Sequence, residues 1–331
     1  MIISKTPFRI SFFGGGTDYP SWFKKNGGSV LSTTIDKYCY ISLRVLPPFF
    51  EHKHRIVYSK VETVLNNLEI NHPAVRAIFN KYKITNGLEL HHDGDLPARS
   101  GLGSSSSFCV GLISAINGLK GKKMTPFELA EGAINIEQKV LKETVGSQDQ
   151  IAAAYGGFNR INFYRDGTFS VEPILIKPGR LKLLEKNLLL FFTGFSRYAS
   201  DIAKEQEKNI GTNKNQLSKI RLLVDDAETI LNNSNKNLND FGSLLHESWL
   251  IKRSLSSSIS NSNIDSIYSK AIKAGAIGGK ILGAGGGGFI LFYVPIKNQL
   301  SVKNSLKELI EVPFKFESSG SKVVLYNPTG F

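Results

Sequence analysis

The sequence predicts an α+β protein of two lobes, and three observations carry that expectation. At 331 residues, the chain is long enough for roughly two domains of about 150 residues, each able to bury its own core. Strand-like and helix-like segments are interspersed without the regular strand and helix alternation of a doubly wound sheet. Glycine is in excess, with 31 residues where about 7% usage would give roughly 23. The excess gathers at Gly14 to Gly16, at Gly101 and Gly103, at Gly156 and Gly157, and at Gly283 with Gly285 to Gly288. Each cluster falls between recognisable elements.

Period-two stretches rich in β-branched and aromatic residues place strands over 2–13, 28–45 and 54–60. A helix near 73–82 and a strand over 87–93 follow. Phe108, Leu112, Ile116 and Leu119 recur at helical spacing, so a helix runs from the serines at 104–107 to a stop at Gly121. Thr125-Pro126-Phe127-Glu128 is a capping box with proline at the first helical position. Leu129, Ala133, Ile136 and Val140 then form one stripe of a second long helix. An alanine-rich helix over 148–154 has Ser147 as its expected cap and Gly156 beyond its end.

A hairpin-like stretch, 158–176, precedes the strand signal of 187–195, which opens the second lobe; the expected division is 1–180 and 181–331. Within that lobe, 199–232 and 240–254 read as two helices and 254–263 as a serine-rich loop. A helix to about Ala274, a strand over Phe289–Val294, a helix near 299–310 and a closing strand near 322–326 complete the chain. No tandem repeat is present.

Apolar residues make up 41% and aromatics 10%, enough for a packed core, and no unbroken apolar run of about 18 residues is present to span a bilayer. The N-terminal segment alternates apolar and polar residues instead of carrying an export signal, so a cytoplasmic location is expected. Cys39 and Cys109 sit in apolar contexts and read as buried free thiols. Lysine and arginine exceed aspartate and glutamate by 41 to 28, giving +13, which favours anionic partners. The lysines are scattered, with no aromatic-interleaved basic stripe. This speaks against nucleic acid and suits a nucleotide or a phosphorylated metabolite.

The sharpest local signal is Pro97-Ala98-Arg99-Ser100-Gly101-Leu102-Gly103-Ser104-Ser105-Ser106-Ser107 feeding into a helix. Glycines let backbone N–H groups approach a ligand, a helix start offers donors with partial positive charge, and hydroxyls add hydrogen bonds or a Mg²⁺ ligand. A plain glycine turn with a serine cap needs one serine, not four. The Walker ending is absent, and the formal GxGxxG at Gly283, Gly285 and Gly288 leads into strand material, so neither common nucleotide motif applies. The HRD and DFG signatures of protein kinases are absent too.

Phosphoryl transfer to an alcohol needs a metal ligand, a group for the hydroxyl proton and cationic help. Glu137 lies about 80° from the centre of its helix stripe, which turns it towards a cleft at the edge of the packing. Asp149 opens the short helix, where a carboxylate is favoured. Either reads equally as a surface or helix-start acid. Asp18, after three glycines, can face a pair of sugar hydroxyls or serve as a turn residue. His91 and His92 are adjacent on a strand and point to opposite faces, which argues against a metal site there. His52, His54, His72 and His246 have no usable spacing.

Taken in order, KTPFRISFFGGGTDYP, PARSGLGSSSS and KILGAGGGGFILF resemble the three motifs of the GHMP kinase superfamily over essentially the whole chain. The wording GGGTDYP, VGSQDQIAAAYGGFN, FTGFSR and LLHESW is similar to the sugar 1-kinase branch, and within it to kinases of a heptose 7-phosphate. The resemblance implies an N-terminal ATP-binding lobe, a ferredoxin-like C-terminal lobe and an active site between them. ATP and Mg²⁺ would serve the transfer, a sugar phosphate would be the other substrate, and a homodimer is allowed for. The reaction implied is phosphorylation of the anomeric hydroxyl, giving a 1,7-bisphosphate for nucleotide-activated heptose and surface polysaccharide.

By the same resemblance, Asp149 is the catalytic aspartate and Arg9 its cationic partner. Glu137 and Ser105 would hold Mg²⁺. Gly101, Leu102, Gly103, Ser104, Ser105, Ser106 and Ser107 would cradle the nucleotide. Gly15, Gly16, Thr17 and Asp18 would meet the sugar, and Gly285, Gly286 and Gly287 would close behind it. Arg197, with Arg99 and Lys280, is a candidate for the substrate's own phosphate, which no motif assigns. Galactokinase-like members carry Glu-His where this chain has Gly15-Gly16, so galactose is disfavoured. A fucokinase-like or other sugar 1-kinase is the alternative. A catalytically idle nucleotide-binding scaffold is a different class, against which the presence of Asp149 and Glu137 weighs.

Overall fold

A computed structural model of the chain describes residues 1–98, 100–194 and 199–328. β1 (Ile2–Phe13) and β2 (Gly28–Val45) pair antiparallel along most of their length and form the spine of the first lobe. Short strands β3 (His54–Val57) and β4 (Val61–Val64) extend the sheet beyond β5 (Leu88–Gly94), while the hairpin of β6 (Phe158–Phe163) and β7 (Phe169–Pro173) joins the near end of β2. Helices α1 (Pro20–Asn26) and α2 (Pro73–Lys81) fill the connections. α3 (Ser104–Leu119) lies on β1 and β2, its face of Phe108, Leu112 and Ile116 buried.

The Thr125 capping box forms as expected and starts α4 (Pro126–Ile134). The helix continues for 135–140 as a π-type turn, where an α-helix was expected. α5 (Gln148–Tyr155) follows and ends at Gly156.

α6 (Pro178–Lys186) leads to β8 (Leu188–Phe192), the first strand of a second sheet. Four helices then intervene: α7 (Ala199–Lys208), α8 (Lys214–Asn232), α9 (Asn239–Arg253) and α10 (Ser262–Lys273). The single helix expected over 199–232 is broken at 209–213, where the chain carries Gly211 between Asn209 and Asn213. β9 (Gly278–Ile281), β10 (Phe289–Tyr293), α11 (Gln299–Ser305) and β11 (Ile310–Glu311) complete an antiparallel sheet of order β11-β8-β10-β9. In chain order that is 4-1-3-2, the ferredoxin-like arrangement.

The chain then returns to the first lobe. β12 (Phe316–Glu317) pairs with β2, and β13 (Lys322–Tyr326) pairs with β1. A cut at 180/181 therefore does not separate the two sheets, because residues 316–326 complete the first one. Apolar packing runs through both lobes: Phe241 of α9 meets the rings of Phe12 and Phe13 at 5.4 and 5.1 Å, edge-on. Cys39 and Cys109 are buried free thiols. Among the described residues no helix is long and apolar enough to cross a membrane.

Candidate active site

The serine loop sits where β1, α3 and the glycine loop of the second lobe converge. Gly101 and Gly103 take φ of 85° and 76°, and α3 starts at the next residue. Leu102 is fully buried, and its carbonyl accepts the Arg9 backbone N–H at 3.1 Å, which fixes the loop to β1. With glycine at the cap, no capping side-chain bond is made to the first turn of this helix, whose backbone N–H groups carry partial positive charge. Three of the four hydroxyls point apart. Ser107 donates to the Pro7 carbonyl at 3.0 Å, whereas Ser105 and Ser106 donate to Glu137 at 3.0 and 2.8 Å.

Glu137 stands on the π-type turn. Its wider winding swings the side chain inward from the cleft edge that α-helical spacing gives, and Glu137 is fully buried. Ser105 reaches Oε1, while Ser106 and the Gln150 amide both donate to Oε2. Burial pushes this carboxyl up to about 7 despite those three donors, with Glu143 adding to the rise. Such a group ionises readily only beside a positive charge. One carboxylate and one serine hydroxyl are hard oxygen donors of the kind Mg²⁺ takes alongside phosphate oxygens, so the residues fit the metal.

Arg9, in β1, grips Asp149 with two parallel bonds: Nε donates to Oδ1 and Nη2 to Oδ2, both at 2.9 Å. Arg9 is buried and its remaining nitrogen donates to the Gly101 carbonyl, so one guanidinium ties the acid to the serine loop. The Asp149 side chain stays 26% exposed, open on its other side. A methyl group at Gly103 would lie 3.5 Å from the Asp149 carboxylate. The acid, the cation and the helix start therefore share one small volume.

Ser147 does not cap α5. It has helical backbone angles and its side chain makes no capping bond; its Oγ accepts from Gln138 at 3.0 Å instead. Asp18 takes the place of the cap from a distance, with Oδ2 accepting the Gln148 N–H at 3.3 Å and Oδ1 the Gly16 N–H at 2.9 Å. Asp18 is buried, and burial together with the Asp149 charge raises its pKa. It binds the first motif to the helix that carries Asp149. Thr17 is also buried, its hydroxyl donating to the Gly14 and Ser29 carbonyls, whereas Gly15 and Gly16 are partly exposed.

The glycine loop of the second lobe closes on the serine loop, backbone against backbone. Phe289 donates to the Ser100 carbonyl at 3.2 Å. A Cβ at Gly283 would lie 2.5 Å from the Gly101 Cα, and one at Gly288 would lie 2.3 Å from the Ser100 carbonyl. Gly286 donates to the Ile259 carbonyl. Beneath this loop, Lys252 donates to the carbonyls of Ile281 and Gly283, and burial with the Arg9 charge pulls its pKa down to about 7.

Lys280, weighed for the substrate's phosphate, is buried and donates to the Phe12 carbonyl at 2.7 Å. Burial, with Lys252 and Arg9 nearby, lowers its pKa strongly. It bridges the lobes beneath the site rather than facing its mouth. Arg99 and Arg197 lie outside the described residues. His91 meets Glu89 at 2.9 Å while His92 faces Phe108, on opposite sides of β5.

Several supporting residues escaped the sequence reading. Lys252 stands in the last turn of α9, where a lysine is ordinary. Gln148 and Gln150 flank Asp149, and only their places in that short segment could have singled them out.

Comparison with known proteins agrees with this architecture. The GHMP kinases N terminal domain matches residues 68–157, and the GHMP kinases C terminal domain matches 227–310. The chain is 33% identical over 337 aligned positions to D-glycero-alpha-D-manno-heptose 7-phosphate kinase of Campylobacter jejuni, covering 97% of this chain and 98% of the relative. Among solved structures, a D-glycero-D-manno-heptose 1-phosphate kinase from Bacteroides thetaiotaomicron superposes with a TM-score of 0.79 at 26% identity, over 97% of this chain and 98% of that one. Lactococcus lactis galactokinase shares the fold alone, at 20% identity and a TM-score of 0.73 over 97% of this chain and 94% of that one. With both domains matched in order and one relative aligned nearly end to end, the chain belongs to the GHMP kinase family of ATP-dependent phosphotransferases.

Proposed function

We propose that this kinase phosphorylates the anomeric hydroxyl of D-glycero-D-manno-heptose 7-phosphate, giving the 1,7-bisphosphate, with ATP as donor and Mg²⁺ at Glu137 and Ser105. The observation that carries the reading is the Arg9–Asp149 pair, doubly bonded at 2.9 Å and set within a methyl's reach of the helix start at Gly103. The C. jejuni and B. thetaiotaomicron relatives are both named for a heptose phosphate, which supports the sugar class. The partly exposed glycines at 15 and 16 leave room where a bulkier pair would narrow the pocket.

Each residue has a part that follows from its surroundings. The first turn of α3 presents N–H donors to the phosphates. Glu137 and Ser105 would hold Mg²⁺, which would neutralise charge on the phosphate oxygens, and ATP supplies the phosphoryl group. Arg9 holds both Asp149 oxygens in one plane and places positive charge beside the transfer path. Asp149, open on its far side, accepts the hydrogen bond of the sugar hydroxyl. The sugar oxygen then bonds to the γ-phosphorus as the bridging bond to ADP breaks, and the hydroxyl proton passes to the Asp149 carboxylate.

The test is a panel of hexoses, hexose phosphates, L-fucose and heptose 7-phosphate, scored by sugar-stimulated ADP release, with phosphorus NMR to locate the new ester. The expected outcome is the highest kcat/KM on heptose 7-phosphate and a new signal at C1. A new ester at another carbon, or a preference for L-fucose, refutes the reading.

A further inference from the structure

Nine buried side-chain nitrogen and oxygen atoms among the described residues lack a hydrogen-bond partner, and four of them surround this one site: Ser11 Oγ, Ser100 Oγ, Gln148 Oε1 and Gln150 Oε1. A buried polar atom without a partner is costly, so such atoms persist where a ligand completes them. Ser100 and Gln150 stand on the nucleotide side, beside the serine loop and Glu137.

Ser11 and Gln148 stand on the other side, around Gly15. Ser11 shares the face of β1 with Arg9, two residues along the strand, and is buried. Gln148 immediately precedes Asp149, its backbone fixed by Asp18. A Cβ built on Gly15 would lie 3.7 Å from Gln148 Nε2 and 3.8 Å from Ser11 Oγ, both ordinary contacts. Gly15 is not among the glycines of positive φ, so its backbone does not require glycine. What the missing side chain leaves is a partly exposed slot between two polar groups, next to the reacting acid.

We propose that Ser11 and Gln148 are specificity residues that hydrogen-bond ring hydroxyls of the sugar lying over Gly15. A sugar hydroxyl both donates and accepts, so it can accept from Gln148 Nε2, which borders the slot, or donate to the unpartnered oxygen of the same amide, and meet the Ser11 hydroxyl in either sense. The inference rests on the sugar-kinase reading and adds which residues choose among sugars. A site built this way rejects an analogue that lacks the matching hydroxyl, because its own polar atoms stay unsatisfied.

The experiment measures steady-state kinetics for Gln148→Ala, Ser11→Ala and Gly15→Ala with the sugar phosphate that the wild-type enzyme uses best, and with its singly deoxygenated analogues. Gln148→Ala and Ser11→Ala should each lower kcat/KM for the sugar about tenfold, with KM for ATP changed less than about twofold. A deoxy analogue that costs the wild type about tenfold should cost the matching variant nothing further. Gly15→Ala should keep the wild-type melting temperature and raise the sugar KM, which reports on the slot even if another variant fails to fold. Unchanged sugar kinetics, or the full deoxy penalty retained in both alanine variants at every position, overturns the inference. A best substrate other than heptose 7-phosphate overturns the substrate reading alone, since the same comparisons are then made on that sugar.

Discussion

Two glycine loops face each other across this site, and they use glycine for different ends. The loop at Gly101 and Gly103 opens into a 16-residue helix; Gly101 itself lies on backbone, its Cβ 2.5 Å from the Leu282 carbonyl, but the nearest atoms to a Cβ at Gly103 belong to the Arg9 and Asp149 side chains, at 3.4 to 3.5 Å. The loop at Gly283 to Gly288 opens into β10, and side chains there would strike backbone at 2.3 to 2.9 Å. Gly103 leaves the helix start beside Asp149 and, on the proposed reading, presents its donors to the nucleotide; Gly101 and the second loop let one backbone lie directly on another. Behind the first stands a carboxyl pushed up to about 7, Glu137, and behind the second an ammonium pulled down to about 7, Lys252. Glycine spacing is blind to this distinction, and the element that follows each loop reveals it.

The contrast breaks most completely if the face opened by Gly103 is not the reacting one. Asp149→Asn should lower kcat by roughly two to four orders of magnitude while nucleotide binding persists, measured by ADP release and by titration with an ATP analogue. Wild-type turnover in that variant would remove Asp149 from the chemistry. On the opposite loop, Gly288→Ala combines a positive φ of 89° with a Cβ 2.3 Å from backbone, so thermal and urea unfolding should show a loss of about 3 kcal/mol or more. Gly288→Ala with wild-type stability would mean the two backbones are not tightly apposed.

Glu137 sharpens the contrast through pH. Its pKa in the folded protein, about 7, lies above its ordinary 4.5, so the folded state holds the proton more tightly than the unfolded chain. Stability of the ligand-free protein is therefore favoured in acid and falls by on the order of 3 kcal/mol as pH rises from about 4.5 to about 7. Glu137→Gln should flatten that part of the melting-temperature profile and weaken the dependence of activity on Mg²⁺. A profile parallel to the wild type would show that Glu137 is not the buried titrating group.

Gly103→Ala should cost about 1 to 2 kcal/mol for its left-handed backbone but reduce turnover more than that loss accounts for, since its methyl abuts Arg9 and Asp149. The smallest effect is expected at Thr125→Ala, which removes the cap of α4 for about 1 kcal/mol. Its kcat should stay within about twofold.

Much of this was legible locally. The Thr125 box, the start of α3 at the serines and the long strands β1 and β2 are written in nearest-neighbour chemistry, and the structure forms them where the residues place them. What was hidden depends on partners far along the chain. Ser147 has the right residue type for a cap, but Asp18, more than a hundred residues earlier, supplies the acceptor. The burial of Glu137 depends on a π-type turn that no 3.6-residue periodicity foretells. The two-residue strand β12 carries no pattern and exists only because β2 offers it an edge.

The return of β12 and β13 to the first sheet has a consequence for how the protein is made. Their sites on β2 and β1 emerge early from the ribosome, whereas these two strands follow the entire second lobe. The first lobe must therefore wait with an open edge on β1 while the intervening lobe is synthesised, a long-range closure that slows folding and leaves the half-made chain exposed to sticking. A nascent chain halted before residue 316 should lean on chaperones in a way the finished enzyme does not.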